Sequence, residues 1–130
     1  VHRSQYDEVV QGIAEHAKGI QMGPGMHPDC QMGPMVSQIQ QDRVCGFMNS
    51  GLSEGAEAVT GGQPGEGQGY FVEPTVLINT RPEMSVIREE IFGPVVAAVP
   101  YDDEDQEKHR PIKWFGSMQL HELEFAQCHL

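Results

Sequence analysis

The sequence predicts an α/β fold. Segments with helical periodicity alternate along the chain with short apolar runs of strand length. One of these runs, VVAAVPY from Val95 to Tyr101, is continuously apolar, as a buried parallel strand is. Gly and Pro clusters mark the borders between segments.

The first helix is predicted over SQYDEVVQGIAEHAKGI. Tyr6, Val9, Val10, Ile13, Ala14, Ala17 and Ile20 recur at three- and four-residue steps and share one face. Ser4 and Asp7 have capping-box spacing, and Gly19 offers a stop. Gly12 inside the helix implies close packing there, and His16 falls on the solvent side.

A second helix is predicted over SQIQQDRVCGFMNSGLSEG, opened by a Ser37–Gln40 capping box and closed near Gly55. Val44, Phe47, Met48 and Leu52 form its apolar stripe, and Cys45 beside them reads as a small buried hydrophobe. AEAVT (Ala56 to Thr60) is a short strand. The glycine-rich run from Gly61 to Gly69 is a hairpin loop, and Tyr70 to Thr80 is a strand interrupted at Pro74. RPEMSVIREE fits a short helix with Pro82 in its first turn.

A length of 130 residues fits one domain, but an apolar fraction of 38% with 15 Gly and 9 Pro makes a thin core. The net charge of −11 argues against nucleic acid or an anionic membrane as partner, since both need clustered Lys and Arg. Cys30, Cys45 and Cys128 form no CxxC pair and fit reduced thiols in a cytoplasmic compartment. No apolar run reaches the length of a membrane-spanning helix, and the first residues do not read as a signal peptide.

Several motifs fail on spacing. The glycines at 65, 67 and 69 are not GxGxxG, no Lys-Ser/Thr follows them, and a strand comes next instead of a helix. HELEF (His121 to Phe125) lacks the second His of HExxH, and YDDEDQE lacks the glycine and distal Glu of a calcium loop. The stretch MGPGMHPDCQMGPM, Met22 to Met35, has the thioether, imidazole and thiol chemistry of a soft-metal site. Its repeated Gly and Pro also suit a plain connector, and no metal site is assigned to it.

REEIFGPVV, Arg88 to Val96, is the segment that points to chemistry. Two carboxylates, a ring and a Gly-Pro turn lead into the apolar run, which puts an acid and an aromatic at a strand end, where open α/β sheets bind ligands. A carboxylate accepts the vicinal hydroxyls of a ribose, and a ring packs on a flat heterocycle.

YFVEPTVLINT…MSVIREEIFGPVV resembles the aldehyde dehydrogenase superfamily, and the resemblance extends back through EGAEAVTGG and PDCQMGPMVS to YDEVV. It implies a three-layer α/β sandwich and an NAD(P)-dependent oxidation of an aldehyde to a carboxylic acid, through a thiohemiacetal and a thioester on cysteine. It further implies that Glu90 binds the nicotinamide ribose and that Phe92 packs beside the nicotinamide, while Gly93 and Pro94 shape the turn. Glu89 is left as a surface carboxylate, and the Met22–Met35 stretch becomes a connector.

The resemblance covers residues 1–105 as a partial catalytic domain and leaves 106–130 as a divergent tail. The family's nucleophilic cysteine, general base and oxyanion donor lie upstream of the segment matching Val1, so no residue here is assigned a catalytic role. The expectation is a fragment without activity of its own. The alternative is a non-catalytic protein that self-associates or pairs with a full-length relative.

Overall fold

The computed structural model describes residues 1–102, so the tail 106–130 lies outside the described residues. Three helices and three strands follow in the order α1 (Tyr6–Gly19), α2 (Gln38–Ser53), β1 (Glu57–Thr60), β2 (Thr75–Ile78), α3 (Ser85–Arg88) and β3 (Val95–Ala97). β2 is central. It pairs antiparallel with β1 and parallel with β3, so β2–α3–β3 is a crossover unit in a mixed sheet.

Alternation along β2 divides the core into two layers. Val76 packs against Val10, Ala14 and Ala17 of α1. Leu77 packs on the other face with Met84 and Val86, and Thr75 on that face meets the Met48 sulfur of α2 at 3.4 Å. The result is helix, sheet, helix, the α/β sandwich the sequence leads one to expect.

α1 ends at Gly19 as expected, and Asp7 and Glu8 in its first turn favour the helix dipole. The Ser4–Asp7 capping box does not form. Arg3–Gln5 is a 3-10 turn, Gln5 is the N-cap without a side-chain bond, and Ser4 pairs with the His2 ring at 2.8 Å. Long-range pairing takes precedence over the local cap. The Val1 amino group donates to the Val99 carbonyl at 2.9 Å, Arg3 N–H donates to Tyr101, and the Arg3 guanidinium grips Asp102 at 2.6 and 2.9 Å. Among the described residues Gly12 is likewise not closely packed, because a Cβ there would meet nothing within 4 Å.

α2 opens on Ser37, whose hydroxyl accepts from Gln40 N–H at 3.3 Å. Val44 and Met48 are buried, Leu52 is half-buried, and Phe47 lies under the Arg43 guanidinium at 5.8 Å. A Cβ on Gly51 would stand 2.6 Å from Val86 Cγ1, so glycine lets α2 and α3 touch. The Glu54 carboxylate then accepts from both Ser85 N–H and Ser85 Oγ at 2.9 Å, capping α3 from outside. Pro82 lies in the turn before α3, not in its first turn; Met84 is the N-cap.

The glycine-rich run closes the β1–β2 hairpin. Gly61 has φ 67°, a left-handed value, and a Cβ there would lie 2.6 Å from the Pro74 carbonyl oxygen. Thr75 seals the junction by accepting from Gly62 N–H and donating to the Glu73 carbonyl, both at 2.8 Å. The strand after it begins only past Pro74.

β3 is parallel, as its apolar run implies, but it is not wholly buried. It forms an edge of the sheet among the described residues, and Val96 is 45% exposed on the face away from α2 and α3.

Candidate functional site

The segment from Glu89 to Pro94 joins α3 to β3. Its middle is anchored and its flanks are open. Ile91 is half-buried and packs against both hydrophobic groups under α2 and α3. On either side of it Glu90 and Phe92 face solvent, Phe92 with 62% of its surface exposed.

The backbone around Phe92 is held carbonyl by carbonyl. Ile91 O accepts from Gly93 N–H at 2.9 Å, Gly93 O from Val95 N–H at 2.8 Å, and Pro94 O from Thr75 N–H at 2.8 Å. The Phe92 carbonyl accepts from Gln40 Nε2 at 2.7 Å. The two bonds between residues two apart make successive three-residue turns centred on Phe92 and Pro94. Gly93 has no room for a side chain, since a Cβ would lie 2.7 and 2.8 Å from the two Val44 methyls. The turn therefore rests on α2.

The Glu90 carboxylate is exposed, so its lone pairs are available to hydroxyls of a ligand. The Phe92 ring is an apolar plane in water, which a flat heterocycle would cover. Acceptor and ring thus suit a ribose with an attached heterocycle. Glu89 is exposed, in keeping with a surface carboxylate.

The site's position differs from the strand-end rule. Residues 90–92 precede β3, and β2 is parallel to it, so both strands begin at this end of the sheet; β1 alone finishes here. The turn lies at the amino ends of the parallel pair, and the carboxyl-end rule for open sheets does not describe it.

Neither described cysteine has a nucleophile's surroundings. Burial, and secondarily Asp42, push the Cys45 thiol up, away from thiolate. The Cys30 thiol donates to the Gly23 carbonyl of its own loop at 3.1 Å. In the same loop Met26 is 96% exposed and Met22 pairs with Met32 in an isolated bridge, the geometry of a connector. No helix among the described residues is long and apolar enough to cross a membrane.

The sequence singles out Glu90 and Phe92 as a motif and gives no sign that Gln40 reaches the Phe92 carbonyl. A glutamine at that position of a capping box is expected to serve its own helix, and no local pattern reveals a partner at residue 92.

Residues 1–110 match the sequence model of the aldehyde dehydrogenase family, and the chain belongs to that family. DhaS of Bacillus subtilis is 48% identical over 106 residues, covering 82% of this chain and 21% of the relative. The mitochondrial aldehyde dehydrogenase of Leishmania tarentolae is 42% identical over the same shares. The NAD+ complex of an aldehyde dehydrogenase from Bacillus cereus superposes with a TM-score of 0.83 at 40% identity, over 85% of this chain and 22% of that one. An aldehyde dehydrogenase of Mycobacterium tuberculosis complexed with NAD+ gives a TM-score of 0.78, also at 40% identity, over 82% of this chain and 23% of that one. The chain spans about a fifth of the length of the curated relatives it matches.

Proposed function

We propose that this chain carries the nicotinamide side of the cofactor site of an NAD(P)-dependent aldehyde dehydrogenase. The Glu90 carboxylate accepts the hydroxyls of the nicotinamide ribose, and the Phe92 ring packs beside the nicotinamide. The observation that carries this reading is the anchored turn, with the half-buried Ile91 packed inward between an open acid and an open ring. NAD+ in the related solved structures supports it.

In the complete reaction an aldehyde and water would give a carboxylic acid and a proton, with NAD(P)+ supplying the hydride acceptor. The residues described here contribute binding and orientation to that reaction; the attacking thiolate and the base come from other parts of the enzyme. Residues 1–105 form the partial catalytic domain and 106–130 a divergent tail, into whose first five residues the family match extends. The 130 residues alone turn over no aldehyde, and the free thiols of Cys30 and Cys45 favour the cytoplasm.

The test is steady-state kinetics on the protein as its gene encodes it. Glu90→Gln keeps the size of the side chain and removes its charge, and raises KM for NAD(P) about tenfold, the worth of one charged hydrogen bond. Phe92→Ala also raises KM. Unchanged KM in both variants overturns the assignment.

A second reading rests on a different observation. Val36, Ile39 and Phe92 are 91%, 80% and 62% exposed, and β3 is an open edge among the described residues. Such surfaces favour assembly with a second copy or a full-length relative. Light scattering on residues 1–130 is expected to give a species larger than a monomer, and a monodisperse monomer overturns this reading.

A further inference from the structure

Gln40 is the third residue of α2, where the glutamine of a capping box ordinarily turns back to bond the amide of the N-cap residue. Only the forward half of the box forms here. The Ser37 hydroxyl accepts from Gln40 N–H at 3.3 Å, while Gln40 Nε2 donates across 52 residues of sequence to the Phe92 carbonyl at 2.7 Å. A carbonyl only accepts, so the amide nitrogen is the group that faces it.

Of the four consecutive carbonyls from Ile91 to Pro94, three are held by backbone amides and one by a side chain. The one held by a side chain belongs to the residue that carries the ring. Neighbouring Gln41 does the same for another loop, donating to the Phe71 carbonyl at 2.7 Å. The first turn of α2 thus acts as a bracket for two loops, and Gln40 is its arm toward the turn.

We propose that Gln40 is a positioning residue for the cofactor end of the site, its side-chain amide holding the three-residue turn that aims the Glu90 carboxylate and the Phe92 ring. The proposal rests on the reading that these two side chains meet the nicotinamide half of the cofactor. Gln40 itself contacts the Phe92 backbone. Its effect reaches the cofactor through orientation, because a turn free to sample other φ and ψ values presents the ring correctly only part of the time.

The experiment uses the protein as its gene encodes it, in four variants: Gln40→Ala, Gln40→Glu, Gln40→Lys and Ser37→Ala. Two quantities are read: the NAD dissociation constant by calorimetry, and, without cofactor, hydrogen exchange at the Gly93 and Val95 amides. Gln40→Ala is expected to raise the dissociation constant about 3- to 10-fold, the span of one net hydrogen bond, and to speed exchange at both amides. Gln40→Glu places an acceptor against an acceptor at neutral pH and is expected to do at least as much harm. Gln40→Lys supplies a donor of similar reach and is expected to return both readouts to within about twofold of the wild type. Ser37→Ala weakens the helix cap without touching Phe92 and leaves the dissociation constant unchanged.

The proposal is overturned if Gln40→Ala leaves both readouts at wild-type values, or if Ser37→Ala weakens NAD as much as Gln40→Ala does. If Gln40→Ala speeds exchange while Glu90→Gln and Phe92→Ala bind NAD normally, the cofactor reading fails and the bracket remains. If those two variants lose affinity and Gln40→Ala does not, the cofactor reading stands and the positioning role fails.

Discussion

Helices α1 and α2 lie on opposite faces of one sheet and hold their neighbours by different means. α1 contributes small apolar side chains, Val10, Ala14 and Ala17, to a layer over Val76 and Ala98. The Tyr6 hydroxyl donates to the Ala98 carbonyl, just past β3, at 3.0 Å. That carbonyl also accepts from Thr80 Oγ1 at 2.8 Å. Burial pushes the Tyr6 phenol up, which keeps it protonated as a donor.

α2 buries Val44 and Met48, admits α3 at Gly51 and the turn at Gly93, and sends Gln40 and Gln41 to two loop carbonyls. The contrast teaches a division of labour. Undirected burial holds the α1 layer, whereas directed hydrogen bonds and glycine contacts make the α2 layer a platform. The candidate site stands on the platform.

The sharpest way to break this comparison is to empty each layer in turn. Leu77 is fully buried on the α2–α3 face, and Leu77→Ala is expected to lower unfolding stability by about 3 kcal/mol. Val76→Ala, on the α1 face, removes one carbon fewer and is expected to lose about 1.5 kcal/mol. Urea denaturation reads both; a larger loss at Val76 would reverse the ranking of the layers.

Two glycines give effects of opposite sign. Gly51→Ala drives a methyl into Val86 and is expected to destabilise by about 2 kcal/mol. Gly12→Ala meets only solvent inside a helix and is expected to stabilise by about 0.5–1 kcal/mol. Ser37→Ala removes the α2 cap for about 1 kcal/mol, while Ser4→Ala, whose hydroxyl caps nothing in α1, leaves the melting midpoint of that layer in place.

The smallest effect belongs to the Arg3–Asp102 pair. The Arg3 hydrogen bond holds the Asp102 carboxyl below its usual range. A lowered folded-state pKa contributes stability above the unfolded value, about 3.9, and that contribution disappears as pH falls through the folded value. Asp102→Asn is therefore expected to flatten the acid limb of a stability–pH curve below about pH 4, faintly and less so in salt, because both side chains are exposed.

Local chemistry made much of this molecule legible. The Ser37 cap, the stop at Gly19, the break at Pro74 and the parallel run after Pro94 all follow from residues within a few positions of each other. What escaped was decided at a distance. Ser4 loses its cap role because Val1 to Arg3 pair with residues 99–102. Gly12 implies a neighbour that the fold does not supply, and Val96 reads as buried in a strand that lies at an edge. Glu90 and Phe92 stand out as a motif, but their exposure around a half-buried Ile91, at the amino end of β3, is fixed by packing against α2 and α3. Gln40 carried no signal, since its partner lies 52 residues away.

The most direct test of the cofactor assignment is a calorimetric comparison of NAD, ADP-ribose and ADP on the protein as its gene encodes it. All three share the ADP portion; only NAD and ADP-ribose carry the second ribose, and only NAD the nicotinamide. The account predicts that Glu90→Gln weakens NAD and ADP-ribose together and leaves ADP untouched, and that Phe92→Ala weakens NAD more than ADP-ribose. Equal loss for all three ligands in Glu90→Gln, or no loss for any, would contradict it.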